Sequence, residues 1–283
     1  MTVQIVAVLG TGVVGTDDPV ITADDLGLTR GDGIFDATRV VTDADGHSVV
    51  EHLDRHLRRL ARSAQAVELP APDVDGIAAL VGEALAAWTT PGEAALKIVH
   101  TRGLEHTATP AATTLLTITE SEPGRRRPLS VASMSRGYAS DTFADAPWLL
   151  GGAKLLSYAV NTSTRREAAR RGADDALFVS SDGYALEAPT SSLLWVVDGA
   201  VRTTPTGATG ILGSVTVEIL AEWAAAENVR FEHALIRLDQ LHAVTGAWLA
   251  SSVRGVCPIA ILDGAALPTS EAWTDRLASA AGF

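Results

Sequence analysis

One amine and one carboxylate carry the chemistry of this 283-residue chain. Lys154 lies in the apolar stretch LLGGAKLLSYAV, and Glu187 follows thirty-three residues later at the end of DDALFVSSDGYALE. A lysine amine can hold an aldehyde as a Schiff base, and desolvation lowers its pKa so that it also serves as a base. A carboxylate beside a pyridine nitrogen keeps that nitrogen protonated, which lets the ring withdraw electrons. Together they suit an aldehyde-bearing pyridine cofactor, pyridoxal 5'-phosphate.

Such a cofactor also needs its phosphate held. The stretch GILGSVTVEILAEWAAAEN reads as a glycine-rich loop that opens a helix, with Val215 and Thr216 at its start. A helix N-terminus offers backbone N–H groups without intrahelical partners and a partial positive charge. Arginine adds a planar fork that matches phosphate. Taken singly, Gly210 and Gly213 are turn residues, Thr216 is a cap, Arg59 is a surface charge and Lys154 a solvated lysine. The reading depends on their occurring together.

The hydrophobic patterning supplies a scaffold. VAVLGTGVVG places Gly10, Gly12 and Gly15 in a GxGxxG pattern, but a dinucleotide site needs those glycines to open a helix that meets the pyrophosphate. TDDPV follows instead, so two short strands turning at residues 10–12 are expected. Residues 34–41 read as a strand after a turn at Gly31 and Gly33. Leu53, Leu57, Leu60, Ala64 and Val67 recur at helical spacing, and so do Ile77, Leu80, Val81 and Leu85 within 74–88. Strands are expected at 95–101 and 115–119. The polar, proline-bearing run over 120–128 marks a boundary, dividing the chain into an N-terminal α/β domain (1–119), a linker (120–129) and a C-terminal cofactor-binding domain (130–283). In the second half, 130–135 reads as a strand and Lys154 precedes a helix that stops at Gly172. Strands at 176–180, 184–187, 193–197 and 200–203 are punctuated by the turn pairs Asp182-Gly183 and Asp198-Gly199. After the helix at Val215, strands at 229–235, 247–251 and 258–262 enclose a short helix at 238–243.

Composition excludes several classes. Hydrophobic residues make up 47% of the chain, enough for a substantial core and for two lobes. A formal charge of -12 repels phosphate backbones and anionic membrane surfaces, so nucleic acid and lipid are poor partners. The cluster Arg125, Arg126 and Arg127 between prolines reads as solvated linker. No apolar run reaches the ~18 residues of a membrane span, and the first residues lack the basic flank and cleavage pattern of a leader, so insertion and export are not expected. Cys257, the single cysteine, cannot form an intrachain disulfide; it reads as part of a buried strand and fits a reducing cytoplasm. No metal site is assigned.

Seven blocks in order, GDGIFDATRV, HLRRLARSA, LKIVHTRG, KLLSYAVN, RRGADDALFVSSDGYALE, GILGSVT and SSVRGVCPI, resemble the class IV pyridoxal phosphate enzymes over essentially the full length. That family includes branched-chain and D-amino acid aminotransferases and aminodeoxychorismate lyase. The resemblance implies an α/β (α+β), two-lobed, fold-type IV architecture. It has a smaller N-terminal α/β lobe and a larger C-terminal lobe with a pseudo-barrel of strands. It also implies pyridoxal 5'-phosphate, a small-molecule amino substrate and a homodimer. On the matching positions, Lys154 becomes the Schiff base lysine and proton shuttle, and Glu187 the partner of the pyridine nitrogen. Tyr158 becomes the phenol set against the cofactor's phenolic oxygen, and Leu212 the group packed on its ring face. Arg59 grips the phosphate, with the amides of Val215 and Thr216, the Thr216 hydroxyl and Ser252 completing its cup. Phe35, Lys97 and Arg102 fall on the substrate wall, Lys97 and Arg102 as receivers of carboxylates.

GDGIFDATRV and LKIVHTRG resemble the lyase branch, which implies aminodeoxychorismate lyase, releasing pyruvate and 4-aminobenzoate in folate synthesis. Ala37 stands where lyases commonly carry threonine, and LEHTATP replaces their arginine- and glycine-rich continuation. The alternatives are therefore a class IV aminotransferase using D-amino acid, branched-chain or small-amine donors, and a catalytically silent binding relative. His106 reads as an ordinary loop residue.

Overall fold

Period-two alternation buries Ile34, Asp36, Thr38 and Val40 and makes a strand of Gly33–Thr42, which organises the first of two units. The structure is a computed structural model that describes residues 4–106, 111–121 and 127–283. Its first unit comprises Met1–Pro123 with Ala153–Tyr158, and its second Gly124–Gly152 with Ala159–Phe283.

In the first unit, β1 (Gln4–Val8) and β2 (Gly12–Val14) form the predicted hairpin, with Gly10 and Gly12 at positive φ. The one-turn helix α1 (Leu26–Thr29) leads into β3 (Gly33–Thr42) and β4 (Ser48–Val50). The two amphipathic helices follow as α2 (Leu53–Ala66) and α3 (Val74–Ala87), which bury Leu57, Leu60, Ile77 and Leu80. With β5 (Gly92–Thr101) and β6 (Thr113–Glu120) the strands complete a six-stranded antiparallel sheet in the order β2-β1-β6-β5-β3-β4.

Ala153–Tyr158 attaches to the start of β3. Leu155 bridges Ile34, Phe35 N donates to Lys154 O (2.9 Å), and Leu156 N donates to Gly33 O (2.9 Å). The segment that carries Lys154, expected inside 130–283, thus groups with the first unit, because β3 satisfies its backbone groups. Half of the expected linker, including Arg125 and Arg126, falls on 122–126, outside the described residues.

The second unit contains β7 (Leu129–Ser135), α4 (Ala159–Arg170), β8 (Asp175–Val179), β9 (Ser192–Val197) and β10 (Ala200–Thr203). It continues with α5 (Val215–Ala226), β11 (Phe231–His233), β12 (Gly246–Ser251), β13 (Gly255–Leu262), β14 (Ala265–Ala266) and α6 (Glu271–Ala280). Its strands form a mixed eight-stranded sheet, a half-barrel, in the order β11-β10-β9-β12-β13-β7-β8 with β14 paired to β13. Successive residues of β9 feed two cores: Leu193 and Trp195 pack with Leu249 and Ile259, while Leu194 and Val196 pack with Leu220, Trp248 and Leu277. The sheet is therefore covered on both faces. Cys257 is buried in β13, where desolvation pushes its thiol pKa up.

Two expectations need correction. Residues 184–187 are not a continuous strand: Tyr184 bridges Arg237, Ala185 bridges Val179 and Glu187 bridges Ser192, three partners that leave no common ladder. The C-terminal helix α6 was not expected, although Ser270 caps it by accepting from Trp273 N (3.4 Å) and Leu277 and Ala278 form its buried stripe. Among the described residues no helix is long and apolar enough to cross a membrane.

Gly33 is required by close approach. A Cβ there would lie 2.9 Å from His100 O, 3.1 Å from Thr101 Cα and 2.6 Å from Leu156 Cδ1. Gly33→Ala is expected to destabilise the protein by roughly 1–3 kcal/mol and to speed amide exchange at Leu156. Urea unfolding and hydrogen exchange measure both, and unchanged values would contradict the packing described.

Candidate active site

Of the 22 lysine and arginine residues in the chain only two are lysines, Lys97 and Lys154, and both ammonium groups reach one aromatic ring. Lys154 Nζ lies 4.7 Å and Lys97 Nζ 4.8 Å from the centroid of Phe35. Tyr158 stands edge-on to the same ring, with centroids 5.3 Å apart. Strand geometry explains the convergence: Phe35 and Ala37 share the face of β3 opposite Ile34 and Asp36, and Lys97 on β5 is the register partner of Ala37. Lys154 is fixed through its backbone, its carbonyl accepting from Phe35 N and its amide donating to Ser63 Oγ on α2 (3.2 Å). Lys97 is exposed as a residue, and desolvation lowers its pKa from the ordinary lysine value.

On the other face of β3, Asp36 holds Arg59. Arg59 Nε donates to Asp36 Oδ2 (2.8 Å) and Nη2 to Oδ1 (2.7 Å), and both residues are buried. His56, one turn before Arg59 on α2, lies with Nδ1 2.7 Å from Asp36 Oδ1. Burial would raise the Asp36 carboxyl pKa, but the hydrogen bonds from Arg59 and His56 and the charge of Arg59 outweigh it and hold the group at about 2. Desolvation lowers the His56 pKa more than Asp36 raises it, so the imidazole is neutral and its Nδ1–H donates to the carboxylate. This contact is therefore a hydrogen bond to a charged acceptor rather than an ion pair, and the 3.4 Å approach of Arg59 Nη2 to the same Nδ1 is packing. His56 Nε2 is buried and meets no hydrogen-bond partner among the described residues.

Arg102, expected on the substrate wall, has other partners. Its Nε and Nη2 donate to Asp32 (2.6 and 3.2 Å), and its Nη1 and Nη2 to the carbonyls of Glu68 and Val67 (2.9 and 3.0 Å). The guanidinium closes the C-terminal end of α2, where carbonyls lack intrahelical donors. His106 lies in the described part of its loop, and residues 107–110 lie outside it.

In the second unit, Leu212 N donates to Glu187 Oε2 (3.3 Å). Leu212 belongs to the loop that enters α5, where Ser214 is the N-cap, accepting from Val217 N (3.3 Å). The first i to i−4 bond of α5 is made by Glu218 N to Ser214 O (3.0 Å), so the amides of Val215 and Thr216 precede the helical ladder. Thr216 Oγ1 meets Ser252 Oγ at 3.2 Å across this helix start. The Phe143 ring approaches this loop closely, since a Cβ at Gly210 would lie 2.3 Å from it. One loop thus links a carboxylate acceptor to a helix N-terminus flanked by two hydroxyls, the acceptor that a protonated pyridine requires and the donors that a phosphate requires. The first unit offers the amine, Tyr158 and the buried arginine. Each unit, taken by itself, thus carries groups that fit part of pyridoxal phosphate.

Comparison with known proteins agrees with this chemistry. A family profile described as Amino-transferase class IV matches residues 33–262. A Mycobacterium tuberculosis (strain ATCC 25618 / H37Rv) protein described as a bifunctional aminodeoxychorismate lyase / D-amino acid transaminase is 35% identical over 260 residues, 88% of each chain. The fold IV-transaminase CpuTA1 of Curtobacterium pusillum superposes with a TM-score of 0.89 at 36% identity, covering 98% of this chain and 97% of its own. A hypothetical aminotransferase from Mycobacterium tuberculosis in its PLP-bound form gives a TM-score of 0.88 at 33% identity, covering 98% of both chains.

Asp36 and His56 escaped the sequence reading, although Asp36 adjoins Phe35 and His56 lies one helical turn from Arg59. Because the folded pKa of Asp36 lies below its ordinary value of 3.8, the unfolded chain takes up the proton first as pH falls. The resulting stabilisation, about 2 kcal/mol, is full above pH 3.8 and is lost as pH falls through about 2. The gap in unfolding free energy between wild type and Asp36→Asn should be constant near neutral pH and narrow progressively in acid below the ordinary carboxylate range. Urea titrations over that span would contradict the account if the gap stayed flat.

Proposed function

The chain belongs to the class IV aminotransferase family, whose members use pyridoxal 5'-phosphate, and from that premise we propose that it acts as an aminodeoxychorismate lyase. The cofactor, when bound, supplies a protonated pyridine ring that stabilises negative charge on the substrate carbon bearing the amine. Lys154 Nζ would hold the aldehyde and, once freed, would take the proton from that carbon. Glu187 would keep the proton on the ring nitrogen. Arg59, the amides of Val215 and Thr216, and the hydroxyls of Thr216 and Ser252 would hold the phosphate, Leu212 would cover the ring and Tyr158 would serve its phenolic oxygen. With the proton on Lys154, the neighbouring carbon–oxygen bond of the substrate breaks with its electron pair to oxygen. The released enolate takes one proton at carbon to give pyruvate, and the remaining ring is left aromatic as 4-aminobenzoate.

The convergence of Lys97 and Lys154 on Phe35 carries this reading. It sets a second compact cation at the ring that Lys154 also reaches, where a substrate carboxylate would gain a charge-assisted bond. Arg102 has its donors engaged within the chain, so the carboxylate falls to Lys97. Transamination is the second reading, favoured by Ala37, the register partner of Lys97 at the position where lyases commonly carry threonine. In that case Lys154 would return the proton to the former aldehyde carbon, and a keto acid would be released. The same family likeness leads us to expect a homodimer in the cytoplasm, with light scattering as the check on assembly.

Aminodeoxychorismate added to the holoprotein should give equal amounts of pyruvate and 4-aminobenzoate. Lys154→Ala should lower turnover by at least about a hundredfold. Lys97→Met should raise KM by about tenfold with a smaller change in kcat. No aromatic product, together with conversion of D-alanine to pyruvate and of the cofactor to its amine form, would replace the lyase reading with the transaminase one.

A further inference from the structure

The buried Asp36 has no part in the chemistry above, yet it is the most heavily bonded carboxylate near the start of β3. Both of its oxygens accept from Arg59, at 2.7 and 2.8 Å, in the two-pronged geometry that fixes a guanidinium plane. The neutral His56 closes the remaining side of Oδ1 at 2.7 Å, and Ala37 N donates to the same oxygen at 2.7 Å. Asp36 is itself anchored by β3, whose preceding residue, Phe35, hydrogen-bonds the backbone of Lys154. An arginine side chain free to rotate loses rotamer entropy on gripping an anion, whereas one already held by a bidentate carboxylate has lost it on folding.

We propose that Asp36 is a positioning residue that acts through Arg59: it sets the rotamer and plane of the guanidinium for the cofactor phosphate and does not itself touch the cofactor. The proposal rests on the reading that Arg59 holds the phosphate. A second carboxylate charge near a phosphate would by itself weaken binding, so the proposal makes a signed prediction. Removing the Asp36 charge should loosen phosphate recognition, although simple charge repulsion predicts that it would tighten.

The test compares pyridoxal phosphate with pyridoxal, which lacks only the phosphate, by absorbance titration of apoprotein. Wild type, Asp36→Asn, Asp36→Glu and Arg59→Lys are compared at a temperature where circular dichroism shows each to be folded. Asp36→Asn should reduce the preference for the phosphorylated form by about tenfold or more while leaving pyridoxal affinity unchanged, and Asp36→Glu should recover part of it. A loss of folding alone would weaken both ligands equally. If Arg59→Lys reduces the preference and Asp36→Asn leaves or increases it, the positioning role fails and the role of Arg59 stands. If neither variant changes it, the phosphate reading of Arg59 fails as well. Should Asp36→Asn not fold, wild-type protein with nitrogen-15-labelled arginine decides. The Arg59 Nε–H should remain protected from exchange when pyridoxal phosphate is added, and loss of protection would mean that phosphate draws Arg59 away from Asp36 and would overturn the proposal.

Discussion

Two backbone hydrogen bonds, Phe35 N to Lys154 O and Leu156 N to Gly33 O, each 2.9 Å, tie the segment carrying Lys154 to an antiparallel sheet. A lysine on a free loop could sample many positions, and its amine would be no better placed for chemistry than any other. Here its backbone is fixed by β3 and by Ser63 of α2, so the freedom left is that of the side chain. That freedom ends at the Phe35 ring, which belongs to the residue that bonds the Lys154 carbonyl.

The alternation of β3 extends the same constraint to its other face. Phe35 faces the two lysines, and the next residue, Asp36, faces α2 and holds Arg59. A shift of β3 by one residue would exchange these roles and bury an aromatic ring where a carboxylate belongs. The close packing at Gly33 fixes the register from the other end. In the second unit, the loop before α5 has the corresponding place, since Leu212 contacts Glu187 through its amide and leads within a few residues to the helix N-terminus. Each unit therefore couples its functional groups through one short stretch of chain, which makes their spacing a property of secondary structure rather than of long side chains.

Much of this was legible in the sequence where the physics is local. Period-two and period-3.6 patterning placed β3, α2 and α3 to within one residue at each end and β5 with its start three residues late, and the absence of a helix after Gly15 separated a hairpin from a dinucleotide site. Lys154 and Glu187 stood out by residue type and apolar context. Pairings between distant residues left no such trace. GGAKLLSY has no strand periodicity, so its attachment to β3 more than a hundred residues earlier is visible only in the folded chain. Arg102 lies in a motif that resembles a substrate wall, but its partners, Asp32, Val67 and Glu68, are between 34 and 70 residues away and only the fold brings them together. Asp36 was hidden for the same reason, since a strand acid is expected to be solvated until a helix delivers an arginine to it.

The central claim is that one particular amine holds the cofactor. Borohydride reduction of the holoprotein followed by peptide mapping tests it directly, because the chain offers only two lysine side chains. The account predicts a phosphopyridoxyl group on Lys154 and an unmodified Lys97. Modification at Lys97 instead, or at neither lysine, would contradict it.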